Sequence, residues 1–177
     1  MTSVRQQIVD AALALVADRG IAATSVDDIA AAAGVAKGSV FYNFGSKSGL
    51  FAGIIADGVA RLTEALRAAA AGRSGAEAID ALVTELLTQI RDHPDFAKLV
   101  ATEIFRRGRD WQESIGTIRR EAMGVFAAAV AQVRPDSDAA LAGAALFGAT
   151  LVAGLDWLVF QPERTLDDVR RAVIAAW

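Results

Sequence analysis

The helical character of the chain is set most clearly by residues 24–47, which read TSVDDIAAAAGVAKGSVFYNFGSK. A hydroxyl three residues before a carboxylate resembles a capping box, with Asp in place of the usual Glu, and predicts a short helix over Val26–Ala33. Gly34 stops this helix, and a second short helix is predicted from Lys37 to Asn43 or Phe44. Two short helices joined by a tight glycine-containing turn indicate a helix-turn-helix.

The second short helix has two chemically different faces when its residues are placed at intervals of 100°. Val40, Phe41 and Phe44 fall together and are predicted to face inward. The opposite face carries small, hydroxyl or amide side chains and one phenol: Gly38, Ser39, Tyr42 and Asn43. Such a face suits a nucleic-acid groove, because hydroxyls and amides bond to phosphates or base edges. The alternative is an ordinary solvated surface.

These motifs, within residues 4–51, resemble the N-terminal DNA-binding domain of the TetR family of bacterial transcriptional regulators. The resemblance implies that Lys37 and Ser39 face bases or nearby phosphates in the major groove. It also implies that Tyr42, Asn43 and Lys47 bind phosphates. Thr24 and Ser25 match the phosphate-facing start of the first short helix, and helix N-termini and hydroxyl caps bind anions. With Gly38 added from the outward face, the predicted DNA-binding residues are Thr24, Ser25, Lys37, Gly38, Ser39, Tyr42, Asn43 and Lys47.

The segment departs from the family pattern at four positions. Val40, Phe41 and Asn43 stand where leucine, tyrosine and histidine are commoner, and Ala36 stands where Ser or Thr often caps the helix. The missing cap costs about 1 kcal/mol. Residues 1–50 carry four Lys or Arg against four Asp. Because this head is formally neutral, DNA affinity is expected to come from a few placed contacts on the two heads of a dimer.

Composition limits the classes of function. The 177 residues are 54% hydrophobic and 22% charged with a net charge of −3, which excludes disorder and a general polycation. No cysteine is present, and His93 is the single histidine, which excludes thiol chemistry and a histidine-rich metal site. We therefore expect no enzyme, no cofactor and no metal site.

An all-α fold of about nine helices is predicted. A three-helix DNA-binding head at residues 1–50 is followed by a helical effector-binding and dimerisation body at residues 51–177. A long fourth helix is expected from Ser46 to about Ala71, then helices near 76–92, 96–107, 111–133, 137–160 and 165–176. Residues 1–20 lack the apolar block of a signal peptide, so a cytoplasmic location is expected.

Residues 139–155 contain no charged side chain and predict a dimer interface. The family resemblance implies that this helix and the final one pair with their copies in a four-helix bundle. The predicted interface residues are Ala140, Ala144, Phe147, Gly148, Leu151 and Leu155. Burial within one subunit is the main alternative. A membrane span is the remote one, because the segment is only just long enough.

The family resemblance also implies an effector cavity in the body. Apolar side chains favour an apolar or amphipathic small molecule, and the candidate lining residues are Leu99, Phe105, Met123, Phe126 and Trp157. Ordinary core packing is the alternative for each of them. His93 is interpreted as a helix-end residue rather than a ligand contact. The Arg106, Arg107 and Arg109 cluster is interpreted as a solvated turn rather than an anion site.

Together these patterns predict a homodimeric, ligand-responsive repressor released from a near-palindromic operator by its effector. Two alternatives remain open at this stage. One is a small enzyme with an apolar cavity, although no nucleophile–base pair or phosphate loop is evident. The other is a helical protein-interaction module whose head has lost DNA binding.

Overall fold

The computed structural model describes residues 3–104, 116 and 120–177. Within these residues the fold is all-α, which confirms the predicted fold class. The nine helices are α1 (Val4–Arg19), α2 (Val26–Ala33), α3 (Lys37–Phe44), α4 (Lys47–Ala70), α5 (Gly75–Asp92), α6 (Pro94–Ile104), α7 (Ala122–Val133), α8 (Ala139–Phe160) and α9 (Leu166–Ala176). The predicted end of the sixth helix beyond residue 104 and the predicted start of the seventh at 111 lie outside the described residues.

Local capping signals fix the helix ends of the head. Ser25 and Asp28 form a reciprocal capping box at the start of α2, and Gly34 ends that helix in the left-handed conformation with a φ of 66°. The Ala36 side chain makes no capping hydrogen bond to α3, as its methyl group requires. The Ser46 hydroxyl accepts a hydrogen bond from the Gly49 N–H, 2.9 Å away, and so caps α4.

One apolar core holds the three helices of the head to α4. Ile8 and Ala12 from α1, Ile29 from α2, Val40 from α3 and Leu50 from α4 are at most 1% exposed. Fully burying a Val, Leu or Ile side chain contributes about 1.5–3 kcal/mol. Helix α3 is therefore anchored from its inner side, chiefly through Val40.

Helix α5 runs through the centre of the body. It packs against α4, α6, α7, α8 and α9. Its Leu82, Val83 and Leu87 are fully buried. Phe126 of α7 and Phe147 of α8 meet edge-to-face with ring centroids 5.7 Å apart.

The head and the body are joined by one unbroken helix and by a packing contact between α1 and α6. Helix α4 runs from Lys47 to Ala70 without a break, so the proposed division after residue 50 falls inside one helix. Helix α1 packs against α6, and the Arg5 guanidinium lies 3.0 Å from the Asp57 carboxylate of α4. Helices α4 and α6 of the body are thus both in packing contact with the head.

Candidate nucleic-acid interface and body cavity

The outward face of α3 carries the polar groups that the sequence predicted there. Tyr42 is 91% exposed and Gly38 is exposed, whereas Ser39 and Asn43 are half-buried. The Asn43 amide donates to the Ser39 carbonyl at 2.8 Å, so one of its functional groups is already engaged within the helix. The phenol of Tyr42 is therefore the most accessible hydrogen-bonding group on this face.

Phe41 corrects the prediction that three apolar residues of α3 face inward. Val40 is buried and Phe44 is packed against the core, but Phe41 is 44% exposed. It lies at the edge of the predicted inner face, and Val40 and Phe44 make the apolar contacts of α3 with its neighbours. Two adjacent aromatic rings, those of Phe41 and Tyr42, are consequently offered to a partner.

Lys37 is held by a carboxylate of the preceding helix. Its ammonium nitrogen lies 2.9 Å from Asp27 Oδ2 of α2, and both side chains are more than half exposed. An exposed pair of this kind contributes only about 0–1 kcal/mol. The Lys37 ammonium group can therefore leave Asp27 and contact a phosphate or base edge with only a small loss of free energy.

The start of α2 corrects one predicted contact. Thr24 is 1% exposed and its hydroxyl donates to the Gly20 carbonyl at 2.9 Å, so its side chain does not face a phosphate. The Thr24 hydroxyl thus stabilises the turn after α1. Ser25 is exposed, but both its N–H and its hydroxyl donate to the Asp28 carboxylate, at 3.0 and 2.7 Å. These bonds, the backbone one first, hold the pKa of Asp28 below its ordinary value.

Helix α8 has a buried face and an exposed apolar face. Among its largest side chains, Leu141 is 70% exposed, Val152 67%, Val159 54% and Phe160 75%. Leu141, Val152 and Val159 lie within about 20° of one another around the helix, with Phe160 at their edge, and we call this surface the outer face of α8. By length and apolar composition α8 is the one helix among the described residues that reaches the size of a bilayer-spanning segment.

The outer face of α8 is rotated by about a quarter turn around the helix axis from the predicted dimer-interface residues. Phe147 and Leu151 are 1% and 5% exposed, because they pack inside the protomer. Ala140 is exposed, whereas Ala144, Gly148 and Leu155 are partly exposed. The prediction is thus wrong for two residues and stays a prediction for the remaining four.

A cavity of about 520 Å³ lies where α1, α4, α5, α6 and α8 meet. Its volume falls within the ordinary range of small-molecule sites, about 300–1,000 Å³. Its apolar wall includes Leu62, Leu86, Phe96, Phe147 and Leu151, and its charged or polar lining is made of Asp10, Arg61, Gln89, Asp92, His93 and Asp95. The combination suits an amphipathic ligand.

Of the predicted effector residues, the four that the structure describes do not line this cavity. Leu99, Phe126 and Trp157 are buried in the core, and Met123 is packed against that core. Phe105 lies outside the described residues, as does the Arg106, Arg107 and Arg109 cluster. His93, which the sequence analysis interpreted as a helix-end residue, lies at the C-cap of α5 and also lines the cavity.

Sequence reasoning missed the cavity because its wall is assembled from helices far apart in the chain. Asp10 and Leu13 come from the head, whereas Gln89 and Leu151 come from the middle and the end of the body. One local signal was available, namely the Asp92-His93-Pro94-Asp95 turn, where three polar side chains surround a proline at a helix junction.

The arrangement defines a class of protein: a helix-turn-helix head on an all-helical body that contains a ligand-sized cavity. Residues 8–54 match the family model described as bacterial regulatory proteins, tetR family. The matched segment comprises α2, α3 and parts of α1 and α4, and it is similar to the corresponding region of that family.

A named regulator is similar to a short stretch of the chain. The chain is 46% identical over 50 residues to the HTH-type transcriptional regulator AcrR from Shigella flexneri, a match that covers 28% of this chain and 23% of AcrR. The chain thus spans about a quarter of the length of this relative.

Solved structures share the whole fold. FadR from Bacillus subtilis, in complex with stearoyl-CoA, superposes with a TM-score of 0.82 at 18% identity and covers 96% of this chain and 95% of its own. A TetR-like transcriptional regulator from Rhodococcus sp. RHA1 gives a TM-score of 0.81 at 26% identity, covering 97% and 92%.

Proposed function

We propose that the protein is a ligand-responsive transcriptional regulator that binds a near-palindromic operator as a homodimer and represses transcription. The observation that carries this proposal is the outward face of α3. Tyr42 is 91% exposed there, beside the exposed Gly38 and the partly exposed Ser39. Hydroxyl groups beside a glycine allow close approach to a duplex and bonding to its phosphates and base edges.

Dimerisation is part of the proposal because one head has few charges to offer. The head is formally neutral, so two heads must bind together to reach useful affinity. The outer face of α8 supplies a surface for pairing, because Leu141, Val152 and Phe160 would otherwise stay in water. Two copies of α3 about 34–36 Å apart would meet successive major grooves on one side of the duplex.

The cavity supports the proposed response to a small molecule. It contacts α1 of the head and α5, α6 and α8 of the body, so a ligand in it touches both regions. A ligand that binds one arrangement of the heads more tightly shifts the population toward that arrangement. We expect the bound arrangement to place the α3 helices unfavourably for the operator, so that the ligand releases DNA.

An amphipathic ligand is the expected effector. FadR from Bacillus subtilis binds stearoyl-CoA within the same fold, and the apolar wall of this cavity suits the hydrocarbon part of an amphiphile. The proposal places the protein in the cytoplasm with its DNA, with α8 pairing against its copy rather than lying in a membrane.

The proposal is tested by anisotropy titration of the full-length protein against labelled duplexes that flank its own gene, at several salt concentrations. Site-specific, salt-dependent binding that excess unrelated DNA does not remove is the expected result. Binding to all duplexes alike, or to none, would contradict it. In that case the outer face of α8 would favour a protein-interaction module.

The base-reading assignments need a separate measurement. Lys37→Ala and Ser39→Ala are expected to change the ranking of operator variants, because these side chains are proposed to reach base edges. Lys47→Ala is the matched control, since a phosphate contact weakens binding to all sequences alike. An unchanged ranking for both variants would assign base reading to other residues.

A further inference from the structure

Four residues of α3 are exposed, and they share one side of the helix. Lys37, Gly38, Phe41 and Tyr42 are exposed, whereas the other residues of α3 are buried or half-buried. At 100° per residue the four exposed positions span about 140° of the helix circumference, and we call them the exposed face of α3. Phe41 and Gly38 lie in the middle of this arc, with Lys37 and Tyr42 at its two edges.

The middle of the exposed face offers hydrocarbon beside open space. Phe41 is 44% exposed, and it is not one of the hydrophobic side chains that pack on the core of the described residues. A methyl group added at Gly38 would meet no atom within 4 Å, so packing within the protomer does not require a glycine there. Because positions three apart are neighbours on a helix surface, this open space lies directly beside the Phe41 ring.

The hydrogen-bonding groups of the exposed face lie at its edges. The Lys37 ammonium is 2.9 Å from Asp27 Oδ2 at one edge, and the 91% exposed phenol of Tyr42 lies at the other. A helix that enters the major groove with this face brings the middle of the face closest to the base edges. The Phe41 ring therefore lies where base edges are read, while the polar side chains flank it.

The chemistry of the major groove identifies the group that suits this ring. Base edges present hydrogen-bond donors and acceptors there, and thymine adds a methyl group, which apolar side chains such as Phe contact. A donor or acceptor placed against the ring would lose water without gaining a partner, which is unfavourable. The middle of the exposed face thus favours thymine over the polar edges of the other bases.

We propose that Phe41 is a specificity-determining residue that packs on the 5-methyl group of a thymine in each half-site, with that methyl group in the space beside Gly38. This inference rests on the proposed function, because it requires that α3 enters the major groove. It adds a base contact of hydrocarbon on hydrocarbon to the polar contacts expected from Lys37 and Ser39. The operator is accordingly expected to contain a symmetric pair of thymines whose methyl groups are read.

The test uses duplexes in which thymine is replaced by deoxyuridine, which differs in lacking the 5-methyl group. A binding site is first selected with the full-length protein from a pool of random duplexes. Its thymines are then replaced in symmetric pairs, and affinity is measured by anisotropy. One pair is expected to be sensitive, with affinity lower by about fourfold for each half-site, the effect of burying one methyl group.

Substitutions of Phe41 assign that sensitivity to its side chain. Phe41→Ala should bind the thymine and deoxyuridine duplexes alike, whereas Phe41→Leu should keep part of the preference because it keeps an apolar contact. Tyr42→Ala is the matched control from the same face. It should weaken binding to both duplexes and leave their ratio unchanged, since a phosphate contact does not report the base. Thermal melting checks that each variant is folded, as expected for side chains outside the core.

Three results would overturn the inference alone: a selected site without thymine in its half-sites, no thymine pair whose replacement matters, or a thymine preference that Phe41→Ala retains. In each of them the protein still selects a DNA sequence, so the proposed function stands. A protein that selects no sequence from the pool would instead overturn the proposed function, and the inference about Phe41 with it.

Discussion

The outward face of α3 and the outer face of α8 are both exposed in one protomer, but their chemistry is opposite. On α3 the accessible groups are the phenol of Tyr42 and the small residues Gly38 and Ser39. On α8 they are hydrocarbon, with Leu141 and Val152 more than two-thirds exposed. Water solvates the first surface well and the second poorly. The proposed function accordingly pairs the polar face with a hydrated, anionic partner and the apolar face with a second copy of the chain.

The largest expected effect comes from placing a charge on the outer face of α8. Val152→Glu should abolish the dimer, because a carboxylate buried between two apolar surfaces loses its hydration. Operator affinity should then fall at least about a hundredfold, since one neutral head remains. Sedimentation velocity and anisotropy measure the two effects.

Ala76→Glu is the matched control for that variant. It adds the same charge at an exposed position in the first turn of α5, where the helix dipole favours an acid. Its dimer and its affinity should match the wild type. A Val152→Glu protein that still sediments as a dimer would show that pairing uses another surface.

Alanine substitutions at two glycines allow the inner and outer sides of α8 to be compared. A methyl group on Gly143 would lie 2.5 Å from the backbone nitrogen of Ala127, whereas one on Gly148 would meet no atom within 4 Å. Gly143→Ala should destabilise the protein by about 1–3 kcal/mol through overpacking. Gly148→Ala should instead stabilise the protomer by up to about 1 kcal/mol through helix propensity. Urea unfolding at equal protein concentrations measures both, and equal losses would mean that the two sides are not distinct.

On α3, removal of the exposed phenol should weaken DNA binding without affecting dimerisation. Tyr42→Ala is expected to lower affinity about tenfold for all sequences, because a hydrogen bond to a charged phosphate is worth about 1.5–3 kcal/mol. Tyr42→Phe separates the hydroxyl from the ring. If both variants bind as the wild type does, α3 does not use Tyr42 to contact the backbone of DNA.

The smallest expected effect concerns the capping box of α9. The Thr165 hydroxyl, then its N–H, and then Arg171 lower the pKa of Asp168 from 3.8 to about 2. Because the pKa is lower in the folded state, the carboxylate stabilises the fold above pH 3.8, and this stabilisation is lost as the pH falls toward 2. Asp168→Asn should therefore be less stable than the wild type at pH 7, and the difference should shrink over that interval. Thermal melting in a pH series checks it, and a difference independent of pH would contradict it.

The sequence predicted most where local chemistry sets the structure. The bounds of α2 follow from Ser25, Asp28 and Gly34, and those residues act within one or two turns. Which side of α8 faces solvent could not be predicted in the same way, because residues 139–155 carry no charge to mark that side. Close packing of Gly143 on Ala127 sets that facing, and this contact joins separate helices.

The cavity is the clearest case of a site beyond local patterns. Asp10 and Leu151 meet there although 140 residues separate them along the chain. Buried aromatics such as Phe126 and Trp157 resembled lining residues in the sequence, yet they fill the core. The cavity forms only where α1, α4, α5, α6 and α8 come together, and no local pattern in the sequence marks that meeting point.

The paired arrangement of the two α3 helices can be measured by pulsed electron paramagnetic resonance. The chain has no cysteine, so Ser48→Cys, at an exposed site in the first turn of α4 beside α3, introduces a single thiol for a spin label. Labelled protein that retains operator affinity should give one narrow distance distribution near about 35 Å on the operator, the spacing of successive major grooves. Absence of dipolar coupling, or a distance far from this spacing, would contradict a dimer that presents both recognition helices to one side of DNA.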